Sequence, residues 1–133
     1  MKLKNYQIYM IGNYLQSLTL PAQVSRAKSK LIAKMNDVLR DQHDDEQELL
    51  NQFNATKTDQ GWDFGTVENK QAYEVELDKL KSEIVVISIS EYPTLEQALK
   101  DYFKTYDGDI APEYADVFDA FYDALEIEEN EEN

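Results

Sequence analysis

Residues 21–53 read PAQVSRAKSKLIAKMNDVLRDQHDDEQELLNQF, and the spacing of their apolar side chains decides the fold. Val24, Leu31, Met35, Val38, Leu49 and Phe53 recur at steps of three, four and seven, with one gap between Val38 and Leu49. Side chains at such steps share one face of an α-helix. Ile32, Leu39 and Leu50 widen the stripe. Neither Gly nor Pro interrupts the run after Pro21, and Pro suits a first turn, where its missing N–H has no helical partner. The stretch therefore predicts a single helix of about 50 Å, at about 1.5 Å per residue.

The charges along this helix oppose its dipole. Arg26, Lys28, Lys30, Lys34 and Arg40 come first, followed by Asp41, Asp44, Asp45, Glu46 and Glu48. A helix dipole favours anions early and cations late, so this one must draw its stability from packing. The polar stretch from Arg40 to Glu48 marks either a kink or a solvent-exposed midsection.

Working outward from it, Asn5 is placed to cap a first helix through about Ser17, with Tyr6, Ile8, Tyr9, Ile11, Leu15 and Leu18 partly buried. Gly12 weakens that helix by about 1 kcal/mol relative to Ala. On the other side, Asn54 to Thr66 holds Gly61 and Gly65 and reads as a loop, within which Gly61-Trp62-Asp63-Phe64 predicts a short strand or hairpin. Val67 to Ser82 returns to helical spacing through Tyr73, Leu77, Leu80 and Ile84, a helix folding back antiparallel on the long one. Ile84 to Ser90 is apolar and β-branched at nearly every position, a strand whose partner is either Trp62–Phe64 or another chain.

Tyr92-Pro93 stops the strand. Thr94 and Gln97 carry a capping-box pattern for a helix that buries Leu95, Leu99, Tyr102 and Phe103 and ends at Asp107-Gly108-Asp109. A last helix runs from near Pro112 to about Ile127, before an acidic tail. The fold class expected is mainly α (α+β). It comprises a long central helix in an antiparallel helical hairpin, one short strand or two-stranded ribbon, and two C-terminal helices. A single domain over 1–128 would carry them, with 129–133 as a disordered tail.

The chain of 133 residues suits one domain with a modest core. Its 27 acids against 13 bases leave a formal charge of −14. That balance argues against direct contact with nucleic acid or an anionic membrane, because phosphates need clustered Lys and Arg. The acids crowd toward the end: from residue 105 onward there are eleven and no base, whereas residues 1–40 hold seven bases and one acid. No Cys is present, consistent with a reducing compartment. Gly12, Asn13, Gln16 and Ser17 break the apolar run Ile8–Leu20, making a poor signal peptide and no membrane span. The expected location is the cytoplasm of the cell that makes it.

Three pieces carry a resemblance. They are Met1-Lys2-Leu3-Lys4-Asn5, then Ser25-Arg26-Ala27-Lys28 leading into the long helix that ends Glu48-Leu49-Leu50, then Gly61 to Val86 with its order of Gly loop, acidic-polar helix and apolar strand. Over about residues 1–90 the chain resembles an uncharacterised family of small proteins encoded by phages and prophages of low-GC Gram-positive bacteria. The resemblance implies a viral origin and a helical hairpin with a strand, and it carries no activity. The acidic part from Thr94 onward lies outside it.

Catalytic residues, metals and cofactors are not expected. His43 sits beside Asp44, Asp45 and Glu46, but no nucleophile or ligand set accompanies it, and a solvated helix turn explains it. Asp107, Asp109 and Glu113 depart from the spacing of an EF-hand loop, and helix capping by Asp109 accounts for them better. No phosphate-binding glycine loop, dinucleotide fingerprint, zinc spacing or nucleophile elbow occurs. The basic run Arg26, Lys28, Lys30, Lys34 lacks interleaved aromatics and reads as a partner for the acidic half, within the molecule or between subunits.

The sharpest candidate is the last helix. At about 100° per residue, Asp109, Glu113, Asp116, Asp119, Asp123 and Glu126 fall within about 140° of arc. Ile110, Tyr114, Val117, Phe118, Phe121, Tyr122 and Leu125 fill the opposite side. With Asp107 these acids form the expected partner-binding face, an anionic rod able to occupy a site built for a phosphate backbone. The expectation is a non-catalytic inhibitor or antidefence module that binds a basic, nucleic-acid-binding host protein. The alternative is a virion structural or assembly protein acting through homo-oligomerisation.

Overall fold

The computed structural model describes residues 1–126. The elements are β1 (Lys2–Lys4), α1 (Asn5–Gln16), α2 (Ala22–Gln52), β2 (Thr56–Thr58), β3 (Gly61–Asp63), α3 (Val67–Ser82), β4 (Ile84–Val86), α4 (Pro93–Lys104) and α5 (Ala115–Ala124). A 3-10 turn over Pro112–Tyr114 leads into α5. The fold is mainly α, with two short antiparallel ribbons, β1 with β4 and β2 with β3.

α2 is the spine, continuous through the polar stretch, where Asp41, His43, Asp44 and Asp45 lie exposed. Its front end buries Val24, Ala27, Leu31 and Met35 against α1 and α4. There they join Ile8, Ile11 and Leu15 of α1 and Leu95, Leu99 and Phe103 of α4 in the main core. Its far end belongs to a smaller aromatic group, in which Tyr73 of α3 meets Phe53 at 5.9 Å and Phe64 at 4.7 Å between ring centroids. Asn69 ties the hairpin to α2 by donating from its amide to the Phe53 carbonyl at 2.7 Å and the Phe64 carbonyl at 2.9 Å. Thr66 caps α3, its hydroxyl accepting from the Asn69 N–H. Gly61 opens β3 at φ 126°, a conformation closed to side-chain-bearing residues.

Several local expectations are corrected. The partner of the Ile84 strand is neither Trp62–Phe64 nor another chain but the N-terminus, with Leu3 opposite Val85. Met1 and Ile87 extend the ladder: the amino group of Met1 donates to the Ile87 carbonyl, and the Ile87 N–H donates to the Met1 carbonyl. The strand is also shorter, because past Ile87 the chain turns inward to bury Ile89.

Asn5 does not cap α1. It is the first helical residue, 5% exposed, and its side-chain amide donates to the Leu80 carbonyl at 2.8 Å, tying α1 to the end of α3. The cap lies one residue earlier, where the Lys4 N–H donates to the Gln7 side chain. Tyr6 and Tyr9 are exposed, since the buried stripe of α1 is Ile8, Ile11 and Leu15 with Tyr14. Thr94 does not cap α4 either: Tyr92 precedes it with Pro93 in the first turn, and the Gln97 side chain donates to Asp101 instead.

Gly12 sits in the middle of α1 without a conformational need for glycine. A Cβ there would meet Ile32 Cδ1 at 3.9 Å and Met35 Sδ at 4.0 Å, ordinary van der Waals contacts. Gly12→Ala is therefore expected to stabilise the protein by about 0.5–1 kcal/mol. Chemical denaturation checks this by a raised midpoint at unchanged slope.

Candidate functional site

The inward side of α5 is what fixes the acidic residues in place. Val117, Phe121, Ala124 and Leu125 are buried. Phe121 meets Phe103 of α4 edge-on, with centroids 5.0 Å apart and planes at 90°. Phe118 contacts Tyr14 of α1 edge-on at 6.0 Å and Tyr106 at 5.8 Å. Such pairs contribute about 0.5–1.5 kcal/mol each beyond their buried area. With the helix clamped on this side, its remaining arc faces solvent.

α5 is shorter than its sequence pattern implied. It starts at Ala115 after the 3-10 turn, and it stops at Ala124 because Glu126 adopts φ 55°, the left-handed conformation that closes a helix. The Leu125 N–H donates to the Phe121 carbonyl and the Glu126 N–H to the Asp123 carbonyl across that end. Ile127 and the tail 128–133 lie outside the described residues.

The seven acids consequently divide. Asp116, Asp119 and Asp123 share an arc of about 60° on α5, by the 100° step between successive residues. Glu113 lies in the 3-10 turn, Asp107 and Asp109 in the coil before it, and Glu126 beyond the helix end. Asp109, Glu113 and Glu126 are therefore not on the single continuous helix that the wheel assumes, and Asp107 lies off it as well. Asp109 caps nothing, because the residues preceding the 3-10 turn and α5 are Ala111 and Tyr114. All seven are exposed. Asp116 near the helix start is favoured by the dipole, while Asp123 near its end is not.

The basic run goes elsewhere. Lys34 Nζ reaches Glu91 Oε2 at 2.6 Å, and the hydrogen bond raises the lysine pKa and lowers that of the carboxyl. Lys30 lies over the Tyr92 ring at 4.9 Å. Both contacts hold the start of α2 to the segment leading into α4. The other ion pairs among the described residues are Arg40–Asp37 and Lys79–Glu76, so none of the three involves the seven acids. Among the described residues no cluster of three His, Asp or Glu side chains is placed to hold a metal ion. None of the described helices is long and apolar enough to cross a membrane.

One surface went unread in the sequence. Between α1 and α5 lies a groove of about 280 Å³, lined by Tyr6, Gln7, Met10 and Ile11 on one side and Asp116, Val117 and Ala120 on the other. The signal was present in α1, whose buried stripe Ile8, Ile11, Leu15 leaves Tyr6, Tyr9 and Met10 on another face. Comparison of the chain with protein-family models, curated proteins and solved structures finds no match in any of the three.

Proposed function

We propose that this chain is a non-catalytic, phage-encoded binding module. It acts as an acidic nucleic-acid mimic that inhibits a host nucleic-acid-binding protein of the defence type, such as a CRISPR or restriction component. One observation carries the reading: Asp116, Asp119 and Asp123 are exposed on one arc of a helix clamped by Phe118 and Phe121, with none of them in an ion pair among the described residues. Carboxylates that recur about once per helical turn, 5.4 Å, form a sparser version of the duplex charge density of one per about 1.7 Å. A groove that neutralises phosphates would meet them with preformed Lys and Arg, and the attraction would fall with salt.

The test is a variant with Asp116, Asp119 and Asp123 all replaced by Asn, used beside the unmodified protein to capture partners from host lysate at low and high salt. Exposed charges contribute about 0.2–1 kcal/mol each, so the variant is expected to bind about tenfold more weakly. Circular dichroism verifies that it stays folded. Equal retention of the same partner in low salt by both proteins would remove the basis of this reading.

A second reading, assembly of a virion structure through self-association, is favoured by β4. This strand pairs with β1 on one edge, and its Ile84 and Val86 side chains are 66% and 68% exposed. Exposed apolar edge strands invite pairing with another chain. Light scattering should then report an oligomer that Val86→Lys dissociates; a monomer in moderate salt rules the assembly reading out.

A further inference from the structure

The groove between α1 and α5 has two chemically different walls. α1 carries no charged residue from Asn5 to Gln16, and into the groove it offers Tyr6 and Met10, 47% and 46% exposed, with Gln7 beside them. α5 carries three acids and no base from Ala115 to Ala124. Asp116 lies on the groove itself, and on the helix wheel Asp119 and Asp123 fall on the far side of it from Ala120, forming a rim. A mainly apolar trough, with Gln7 as its one uncharged polar side chain and an anionic rim on the α5 side only, is complementary to a helix with an apolar face flanked by cations.

We infer that this groove is the docking site for a cationic amphipathic helix of a protein partner. A bulky aliphatic side chain seats between Met10 and Ala120, and neighbouring Lys or Arg residues reach Asp116, Asp119 and Asp123. The inference rests on the reading of these three acids as the partner face, and it adds what an electrostatic decoy alone lacks, a shape-specific anchor. Hot spots of binding are buried apolar or aromatic anchors, whereas rim charges mainly steer the encounter. The volume lies just below the range of about 300–1,000 Å³ typical of ligand clefts, suited to part of a helix face rather than a whole small molecule. The occupant is not a second copy of this chain: its most basic helix segment, at the start of α2, keeps Val24, Ala27 and Leu31 in its own core.

The experiment titrates the full chain with two synthetic Leu/Lys peptides of identical composition. One places Leu at positions i, i+3, i+4 and i+7, and the other is scrambled so that no apolar face forms. Affinity is read by calorimetry and the site by NMR shifts. The ordered peptide is expected to bind at least about tenfold more tightly and to shift Met10 and Ala120 resonances. Met10→Ser and Ala120→Leu, one removing an exposed anchor wall and the other filling the trough, are expected to erase that preference while leaving the salt-dependent binding common to both peptides. Equal binding of the two peptides, still weakened by the triple Asn variant, overturns the groove inference and leaves the anionic-face reading standing. Failure of both peptides to bind, or binding indifferent to the triple variant, overturns both. Groove resonances that broaden with protein concentration alone identify a second copy as occupant and also overturn the inference.

Discussion

Phe121→Ala is expected to destabilise the protein by about 3–5 kcal/mol, the range for removing a fully buried aromatic side chain. Phe121 is 0% exposed and stands edge-on to Phe103, which is 1% exposed. Little can collapse into the space, because Phe103 is itself held by Tyr102 and Tyr106 at 5.1 and 5.5 Å. α5 is only ten residues long. Isolated helices of that length are marginal in water, so without its anchor α5 should detach before the rest unfolds. The measurable signature is early loss of amide-exchange protection over Ala115–Ala124, with the α1–α2–α4 core still protected. Partner capture should fall as well, even though all acids are retained. Uniform loss of protection across the chain would show instead that α5 unfolds only with the whole core.

Tyr14→Phe tests a different part of the same cluster. Tyr14 is 2% exposed, packed against Tyr114 at 5.2 Å, and its hydroxyl lacks a hydrogen bond among the described residues. Its pKa is pushed up to about 12, chiefly by burial, with Tyr106 and then Tyr102 adding to the rise. The charged form is the deprotonated one, and the unfolded chain loses that proton near the ordinary value of about 10. Stability from this group is therefore complete below about pH 10 and drains away as pH climbs toward 12, about 3 kcal/mol in all. Tyr14→Phe should flatten the fall in stability over that window, leaving a smaller slope from Tyr73, which burial and then Glu46 also raise. At neutral pH the variant should differ in stability by no more than about 1 kcal/mol, since the hydroxyl removed has Tyr106 as a polar neighbour but no hydrogen bond of good geometry among the described residues. Denaturant midpoints measured from pH 8 to 12 decide it. An unchanged alkaline slope would mean that Tyr14 ionises only after unfolding has begun elsewhere.

How far the candidate site was legible follows from how local each signal was. The acids of α5 and their opposition to Val117, Phe121 and Leu125 were readable, because helical periodicity is a property of neighbours in the chain. The extent of that helix was not. Its end depends on Glu126 entering a left-handed conformation, and its start on a 3-10 turn at Pro112. Neither leaves a mark in a wheel that assumes continuity, which is why it sets Asp109, Glu113 and Glu126 on a face that they do not share in the structure.

The sequence by itself determined the long central helix, the helix Val67–Ser82, the two C-terminal helices and the uneven charge, since each arises from short-range spacing and backbone preference. Only the tertiary structure decided that the N-terminal strand, rather than the aromatic hairpin, pairs with Ile84–Val86. That choice follows from Asn5 reaching Leu80 and from Leu3 and Val85 turning one face of the ribbon toward the core. Tertiary packing also decided that Tyr6 and Met10 face outward beside α5. A groove between two helices distant in sequence depends on which of their faces meet, and that is settled by the shape of a shared core, which pairwise spacing along the chain does not encode.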